Sequence, residues 1–113
     1  GNSGEGPAIT VESDREIPEL PAAVEVAAYR IATEAITNAV RHSGARICTV
    51  KLKLNRDLVL EVLDDGDGLP QRYQAGVGLT SMRERAEELG GEFEILSTPE
   101  GTHIWARLPL EPL

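Results

Sequence analysis

Four polar side chains recur at helical spacing in one stretch of this sequence. Glu34 and Asn38 are four residues apart, and Arg41 and His42 follow three and four residues after Asn38. Because such residues are neighbours on an α-helix, the spacing predicts an acid, an amide, a cation and an imidazole along one helix face. An amide oxygen suits magnesium, a carboxylate can hold a metal-bound water, and cations can meet phosphate. A solvated helix face with an i, i+4 pair explains the same spacing.

A second candidate site is the acidic, glycine-containing loop that begins at Asp64. A carboxylate at the end of a strand can accept a hydrogen bond from an exocyclic amine such as that of adenine. Gly66 and Gly68 allow the backbone to approach a ring or to adopt positive φ. An ordinary Asp-Gly turn is the alternative. A calcium loop is disfavoured, because the spacing lacks the third acidic position and the final Glu of an EF-hand.

The third candidate is the pair Gly76 and Gly78, followed by Leu79 at the start of a predicted helix. Free N–H groups and the positive end of the helix dipole bind phosphates at such a position. The pair is not a dinucleotide fingerprint, since Ser81 stands where the third glycine would be, and no GxxxxGK[ST] motif occurs in the chain. Helix capping by the two glycines is the alternative explanation.

These three sites need a scaffold that two periodicities predict. An apolar stripe at helical spacing predicts a helix that ends at about His42 and has Pro21 in its first turn. The stripe lies opposite the polar face. Ser43-Gly44 is expected to close the helix. A second helix is predicted over 79–89, ended by Gly90-Gly91. The stripe consists of Val24, Ala28, Ile31, Ala35 and Ala39. Strands are predicted over 8–12, 46–55, 58–63, 92–97 and 102–108.

The order β, α, β, β, α, β, β predicts an α+β fold, a two-layer α/β sandwich with the helices on one face of a mostly antiparallel mixed sheet. The three polar elements fall at the ends of three structural units, so they can converge on one pocket. Residues 1–7, which are polar and glycine-rich, are interpreted as a disordered lead or cloning remnant, and residues 8–113 as a single domain.

Composition restricts the partners and the compartment. A formal net charge of −8 disfavours nucleic acid or anionic lipid as the main partner, so an anionic ligand needs local dipoles, a few cations and a metal. The single cysteine, Cys48, lies in an apolar run and is expected to be a buried hydrophobe. No run reaches the roughly 18 apolar residues of a membrane span and no signal peptide is visible. We therefore expect a cytoplasmic location. The cytoplasmic part of a membrane protein would have the same sequence character.

In this order the three motifs are far more specific than any one alone. The patterns E-x-x-x-N-x-x-R-H, D-x-G-x-G and G-x-G-L closely resemble the three nucleotide-binding boxes of the ATPase fold shared by gyrase, Hsp90, histidine kinases and MutL. The run from Met82 to Gly91 and the ending from Gly101 to Pro109 resemble one branch, the sensor histidine kinases whose response regulators carry helix-turn-helix domains. The resemblance covers roughly residues 8–110.

This resemblance implies a phosphate end and a metal, Mg²⁺, within an ATP site. It places magnesium on Asn38, with Glu34 beside it as the second catalytic residue, and it places Arg41 and His42 near the phosphates. His42 belongs to the first box in this match and is not the phosphorylated histidine.

The resemblance also implies a base end, at which Asp64 binds the adenine amine and Gly66 and Gly68 shape the pocket. Thr102 would reach the Asp64 end of the base through its hydroxyl.

A short lid is implied between the two ends. Gly76, Gly78 and Leu79 would bound it, and only seven residues separate Gly68 from Gly76. The phenylalanine-bearing box of longer-lid kinases is missing, since the only phenylalanine, Phe93, falls in a later strand.

The implied function is that of the catalytic domain of a protein-histidine kinase in a two-component system. The ATP γ-phosphate would pass to a histidine on a separate dimerisation domain and then to a response regulator. No helix resembling the histidine segment precedes residue 20, and His103, in a predicted strand, is a poor acceptor. We expect this domain to be monomeric and inactive in autophosphorylation by itself. The alternatives are an anti-sigma-factor serine kinase, which the segment from Met82 to Gly91 disfavours, and a non-catalytic nucleotide-gated interaction module.

Overall fold

The structure, a computed structural model, describes residues 7–70 and 77–111, without the side chains of His42, Ser43 and Val77. The predicted lead lies outside these residues, except for Pro7. The elements are β1 (Ala8–Ser13), α1 (Ala22–Asn38), a π-helical segment (Ala39–Ser43), β2 (Ile47–Leu54), β3 (Asp57–Asp64), α2 (Val77–Glu88), β4 (Glu92–Thr98) and β5 (Gly101–Pro109).

Five strands form one mixed sheet in the order β1-β2-β3-β5-β4. The β2/β3 and β5/β4 hairpins and the β3/β5 pair are antiparallel, whereas β1 runs parallel to β2. The two hairpins follow from their short turns, and α1 provides the longer crossover that the parallel pair requires. The predicted α+β architecture, with its mostly antiparallel sheet, is confirmed.

A single apolar core joins the sheet to both helices. Alternate residues of β2, β3 and β5 are buried, as expected for strands that have one face covered. Both α1 and α2 contact this sheet, and they also contact each other. The largest fully buried side chains are Ile31, Leu58, Leu60, Met82, Ile104, Leu108, Val24 and Cys48.

The first helix differs from its prediction at both ends. Pro21 is the N-cap, with ψ 140°, rather than a residue of the first turn, and its carbonyl accepts the first helical hydrogen bond from the N–H of Glu25 at 3.0 Å. The α-helix ends at Asn38, and the chain continues as the π-helical segment to Gly44, which has φ 66°. Since a π turn contains more residues than an α turn, the α-helical spacing predicted between Asn38 and Arg41 does not hold.

The sequence predicted Asn38 on the face opposite the apolar stripe, and this prediction is wrong. Asn38 follows Ile31 by seven residues, which is close to two full turns, so it continues the buried stripe instead of facing away from it. The buried residues of α1 are Val24, Ala27, Ile31, Ala35 and Asn38.

The second helix begins at Val77, two residues earlier than predicted, and Gly90 and Gly91 end it as predicted. Gly90 has φ 80°, and the N–H of Gly91 donates to the carbonyl of Ala86 at 2.9 Å. A Cβ on Gly91 would lie 2.0 Å from the carbonyl oxygen of Arg107. A residue without a side chain is therefore needed where this helix end meets β5.

Candidate functional site

One row of side chains crosses four strands where the apolar core ends. The registers pair Asp64 with Cys48 of β2 and with Thr102 of β5, and they pair Thr102 with Ser97 of β4. Because directly opposed residues of a sheet share a face, these four side chains lie on the same face. Two residues further along each strand, the same face carries Val50, Val62, Ile104 and Ile95. We call Cys48, Asp64, Thr102 and Ser97 the site row.

Asp64 is the charged member of the site row and is partly buried at the end of β3. Its Oδ1 accepts a hydrogen bond from the N–H of Gly66 at 2.9 Å. Within residues 7–70 and 77–111, no donor bonds its Oδ2 and no cation pairs with it. An acceptor oxygen in this position can bind an amine from outside the protein.

Cys48, beside Asp64, is a fully buried thiol, as the sequence predicted. Burial raises its pKa, and the negative charge of Asp64 raises it further, to about 11. The thiol is therefore neutral near pH 7, and within the row it serves as an apolar packing group.

Asp65 anchors the loop after β3 rather than facing a ligand. Its Oδ1 accepts hydrogen bonds from the N–H of Ile47 at 2.9 Å and of Arg46 at 2.8 Å. These two bonds, from Ile47 first and Arg46 second, hold the pKa of the carboxyl below its usual value. The carboxylate thereby ties the loop to the start of β2.

The far side of this loop meets the end of the first helix. A Cβ placed on Gly44 would lie 3.8 Å from Oδ2 of Asp67, so the close of the π-helical segment and the loop are neighbours. The predicted first and second boxes are therefore adjacent at this end of the sheet.

Gly68 seats the loop on β4. It has φ 86°, and a Cβ there would lie 2.4 Å from the carbonyl oxygen of Thr98 and 2.9 Å from Oγ of Ser97. The next residue, Leu69, donates its N–H to Oγ of Ser97 at 2.7 Å, and that same Oγ lies 3.3 Å from Oγ1 of Thr102. The loop is thus joined directly to the site row.

Two predicted site residues are the buried polar side chains of the described chain: Asn38 is 2% exposed and Thr102 is 5% exposed. Burying a polar side chain costs free energy unless a hydrogen bond or a ligand compensates for it. Gly66 and Gly68 are buried as well, Glu34 is partly buried and Arg41 is exposed.

The third predicted box is described only in part. Gly78 and Leu79 lie in the first turn of α2, where Leu79 is 6% exposed and belongs to the core. Gly76 and the side chain of His42 lie outside the described residues. The predicted short lid also falls there for the most part.

The arrangement fits a nucleotide better than a metal held by protein ligands alone. In the described part of the chain, no group of three or more His, Cys, Asp or Glu side chains could hold a metal ion. A divalent cation at Asn38 would then take further ligands from water and phosphate, as magnesium does. At the other end, the carboxylate of Asp64 lies beside the buried backbone of Gly66 and Gly68.

Sequence reasoning missed Ser97 and the contact of Cys48 with Asp64. The signal was present in the predicted hairpin, because a turn over 98–101 sets Ser97 opposite Thr102. For Cys48 the signal was the β2/β3 register, which the sequence alone left open by one or two residues.

Comparison with known proteins gives consistent matches. The model of the family described as "Histidine kinase-, DNA gyrase B-, and HSP90-like ATPase" matches residues 23–112. Sensor protein VraS of Staphylococcus epidermidis is 41% identical over 96 residues, which are 81% of this chain and 28% of the relative. Sensor protein VraS of Staphylococcus aureus is 40% identical over 97 residues, with the same coverage of 81% and 28%. The chain thus spans less than a third of these relatives.

Solved structures agree on the fold. The histidine kinase domain of the blue-light activated histidine kinase of Erythrobacter litoralis superposes with a TM-score of 0.71 at 24% identity, covering 91% of this chain and 55% of that one. Separately, none of the helices in the described ranges has the length and apolar character to span a membrane.

Proposed function

Because the chain belongs to the histidine kinase-, DNA gyrase B- and HSP90-like ATPase family, we propose that it is the Mg-ATP-binding catalytic domain of a sensor histidine kinase. In this proposal it transfers the γ-phosphate of ATP to a histidine on a separate dimerisation domain, for relay to a response regulator. The observation that supports it most is the site row, in which Asp64, with no cation partner among the described residues, stands beside the buried hydroxyl of Thr102.

The base end of the proposed site consists of Asp64, Thr102 and the loop backbone. Oδ2 of Asp64 accepts a hydrogen bond from the exocyclic amine of adenine, and the hydroxyl of Thr102 bonds the adjoining edge. Gly68 lets the loop backbone seat against β4, where a Cβ would meet the carbonyl oxygen of Thr98, and Gly66 lets the backbone beside Asp64 approach the ring.

The phosphate end consists of Asn38 and the start of α2. The side-chain oxygen of Asn38 would hold magnesium, and Glu34, one helical turn earlier, would orient a water beside the metal. Arg41, His42 and the N–H groups around Gly76, Gly78 and Leu79 would bind phosphate oxygens. Magnesium supplies charge neutralisation when it is bound, and these residues position the γ-phosphate for transfer.

The acceptor histidine belongs to another domain in this proposal. His103 is in β5 on the face of the sheet away from the helices, and its Nε2 lies 2.7 Å from Oε2 of Glu61. The relatives are more than three times as long as the matched segment, which leaves room for dimerisation helices and a sensor part. We place residues 8–113, including β1, in the ATP-binding unit, on the cytoplasmic side of such a sensor.

Calorimetric titration with Mg-ATP tests the nucleotide site. The variant Asp64→Asn keeps the size of the side chain but turns an acceptor into a possible donor, so we expect the Kd to rise at least about tenfold. The matched control is Glu61→Gln, which removes an acid from the same strand on the opposite face and should leave the Kd unchanged. Equal affinity of Asp64→Asn and wild type would contradict the proposed base site.

Phosphate transfer needs a second experiment. The domain is mixed with the dimerisation helices of its parent kinase and with ATP labelled at the γ-phosphate. We expect acid-labile label on those helices, lost in Asn38→Ala and kept in Glu61→Gln. Label that is stable to acid would indicate a serine kinase, and tight Mg-ATP binding without any transfer would leave a nucleotide-gated interaction module.

A further inference from the structure

We propose that Ser97 is a positioning residue that fixes the direction of the Thr102 hydroxyl, so that Thr102 donates its proton to the bound base. This inference rests on the proposed ATP site. It assigns a role in base recognition to a residue that would not itself touch the nucleotide.

The contacts of Ser97 permit this direction. The N–H of Leu69 can only donate, so Oγ of Ser97 must accept at the 2.7 Å contact. Within the described chain, the other hydrogen-bond partner of Ser97 Oγ is Oγ1 of Thr102, at 3.3 Å. Either hydroxyl could donate across this 3.3 Å contact, and in this proposal Ser97 donates to the Thr102 oxygen. Once that oxygen accepts, the Thr102 proton is left to point elsewhere.

The hydroxyl of Thr102 has almost no contact with solvent that could accept this proton. Its side chain is 5% exposed and lies in the site row beside Asp64. A buried hydroxyl proton requires an acceptor, and a ligand at the end of β3 can provide one. The chain of bonds from Leu69 through Ser97 to Thr102 thus ends in a donor that faces the proposed base pocket.

The relay is held in place by the close seating of the loop. Gly68 approaches the end of β4 so tightly that a Cβ would meet the Thr98 carbonyl oxygen at 2.4 Å. This contact leaves the N–H of Leu69 above Ser97, where it holds the serine oxygen as an acceptor. The loop that carries the adenine-binding carboxylate therefore also sets the polarity of Thr102.

An acceptor at Asp64 and a donor at Thr102 match adenine on two neighbouring positions. The exocyclic amine donates, and the ring nitrogen beside it accepts. A purine with a carbonyl and a ring N–H at these positions presents the reverse pattern and would leave both protein groups mismatched. Losing one such hydrogen bond in a buried site lowers affinity several-fold.

The test compares Ser97→Ala with wild type for three nucleotides, by calorimetric titration in magnesium. ATP has the ring nitrogen beside the amine, 1-deaza-ATP replaces that nitrogen by carbon, and 7-deaza-ATP keeps it while altering the other ring. We expect wild type to bind 1-deaza-ATP about fivefold to tenfold more weakly than ATP, and 7-deaza-ATP about as well as ATP. In Ser97→Ala this preference should fall below about twofold, because ATP binding weakens while 1-deaza-ATP binding barely changes.

A merely structural role for Ser97 predicts a different result. If the serine only supports the loop, Ser97→Ala weakens all three nucleotides by the same factor and keeps the preference, and the inference is overturned. Thr102→Val provides a second variant of similar shape that removes the donor itself and should abolish the preference. Ser13→Ala, an exposed serine at the far end of β1, is the control and should match wild type.

The outcomes also separate this inference from the proposed function. If wild type binds no ATP, or if wild type and Asp64→Asn have the same Kd for ATP, the proposed site is wrong. If binding depends on Asp64 but Ser97→Ala keeps the wild-type preference, the site stands and the role of Ser97 is wrong.

Discussion

The two faces of this sheet carry polar side chains in opposite conditions. On the face away from the helices, Glu61 contacts His103 at 2.7 Å and Lys53 at 3.9 Å, and Arg107 contacts Asp57 at 3.1 Å and Glu92 at 2.9 Å. Every acid in these two clusters has a cation beside it. On the helix-covered face, Asp64 has no cation partner within the described residues, although its surroundings are less polar.

This difference separates surface structure from a site. Paired charges on an exposed sheet face satisfy one another in solvent and contribute little to stability. A partly buried carboxylate without a counter-charge costs free energy, which a ligand can recover. Polar residues at a core boundary that lack a compensating partner are therefore better candidates for binding than the more numerous charges on the open face.

The largest loss of stability should come from adding a side chain at Gly101, next to the end of the site row. Gly101 has φ 148°, and a Cβ there would lie 2.1 Å from the carbonyl oxygen of Asp64. We expect Gly101→Ala to lower the free energy of unfolding by about 3 kcal/mol or more, since both the backbone conformation and the contact are lost. Urea denaturation measures this change.

Gly44→Ala is the matched control for positive φ without the clash. Gly44 has φ 66°, and its nearest contact for a Cβ is 3.8 Å away. We expect a cost of about 1 kcal/mol from the left-handed conformation alone. Equal losses in the two variants would show that the close approach of Gly101 to β3 is absent.

The thiol of Cys48 reports on the same row from within the core. Burial, with the charge of Asp64 as the second cause, raises its pKa to about 11. At pH 8 we therefore expect native Cys48 to react with iodoacetamide at least about 100-fold more slowly than the unfolded chain. Mass spectrometry of the labelled protein follows the reaction.

Asp64→Asn sharpens this measurement. Removing the carboxylate removes the second cause of the raised pKa and leaves burial, so native labelling should become faster but remain slower than in the unfolded chain. Rapid labelling of native wild type would contradict the burial of Cys48 in the core.

Acid should loosen the loop through Asp65. Hydrogen bonds from Ile47 and Arg46 hold its pKa below the value of 3.8 that an unperturbed carboxyl has. Because the folded-state pKa is the lower one, the stabilisation is present above the unfolded pKa and is lost as pH falls through the folded pKa.

Asp65→Asn should therefore be less stable than wild type at neutral pH, and the gap should shrink as the pH falls below about 4. Urea denaturation across this range measures it. Glu84→Gln, at an exposed position of α2, is the control for removing one negative charge. A gap that stays constant with pH would show that the two backbone bonds do not depend on the charge of Asp65.

The sequence predicted the fold well because its periodicities are strong. Alternating apolar residues predicted β2, β3 and β5, and two glycines predicted the end of α2. The structure agrees with each of these predictions. The parallel pairing of β1 was not predicted, since six exposed residues carry no periodic signal. The π-helical segment was missed because its residues, Ala39–Ser43, are compatible with an ordinary helix.

The sequence named the residues of the proposed site but not the contacts between them. The motifs identified Asn38, Asp64 and Thr102, and two of these are the buried polar side chains of the described chain. The bonds between Ser97 and its two partners depend on the register of β4 against β5 and on the path of a loop. The register follows from the tight turn of this hairpin, whereas the path of the loop arises only when β3 pairs with β5.

The smallest effect should come from the open face. Glu61 is 17% exposed in its side chain, and its partners His103 and Lys53 are 40% and 63% exposed. Because water screens such pairs, we expect Glu61→Gln to cost less than about 1 kcal/mol of stability in urea denaturation. A double-mutant cycle with His103→Gln isolates the pair and should give a coupling of at most about 0.5 kcal/mol. A coupling several times larger would mean that the open face is as strongly organised as the site row, and the contrast between the two faces would no longer identify the site.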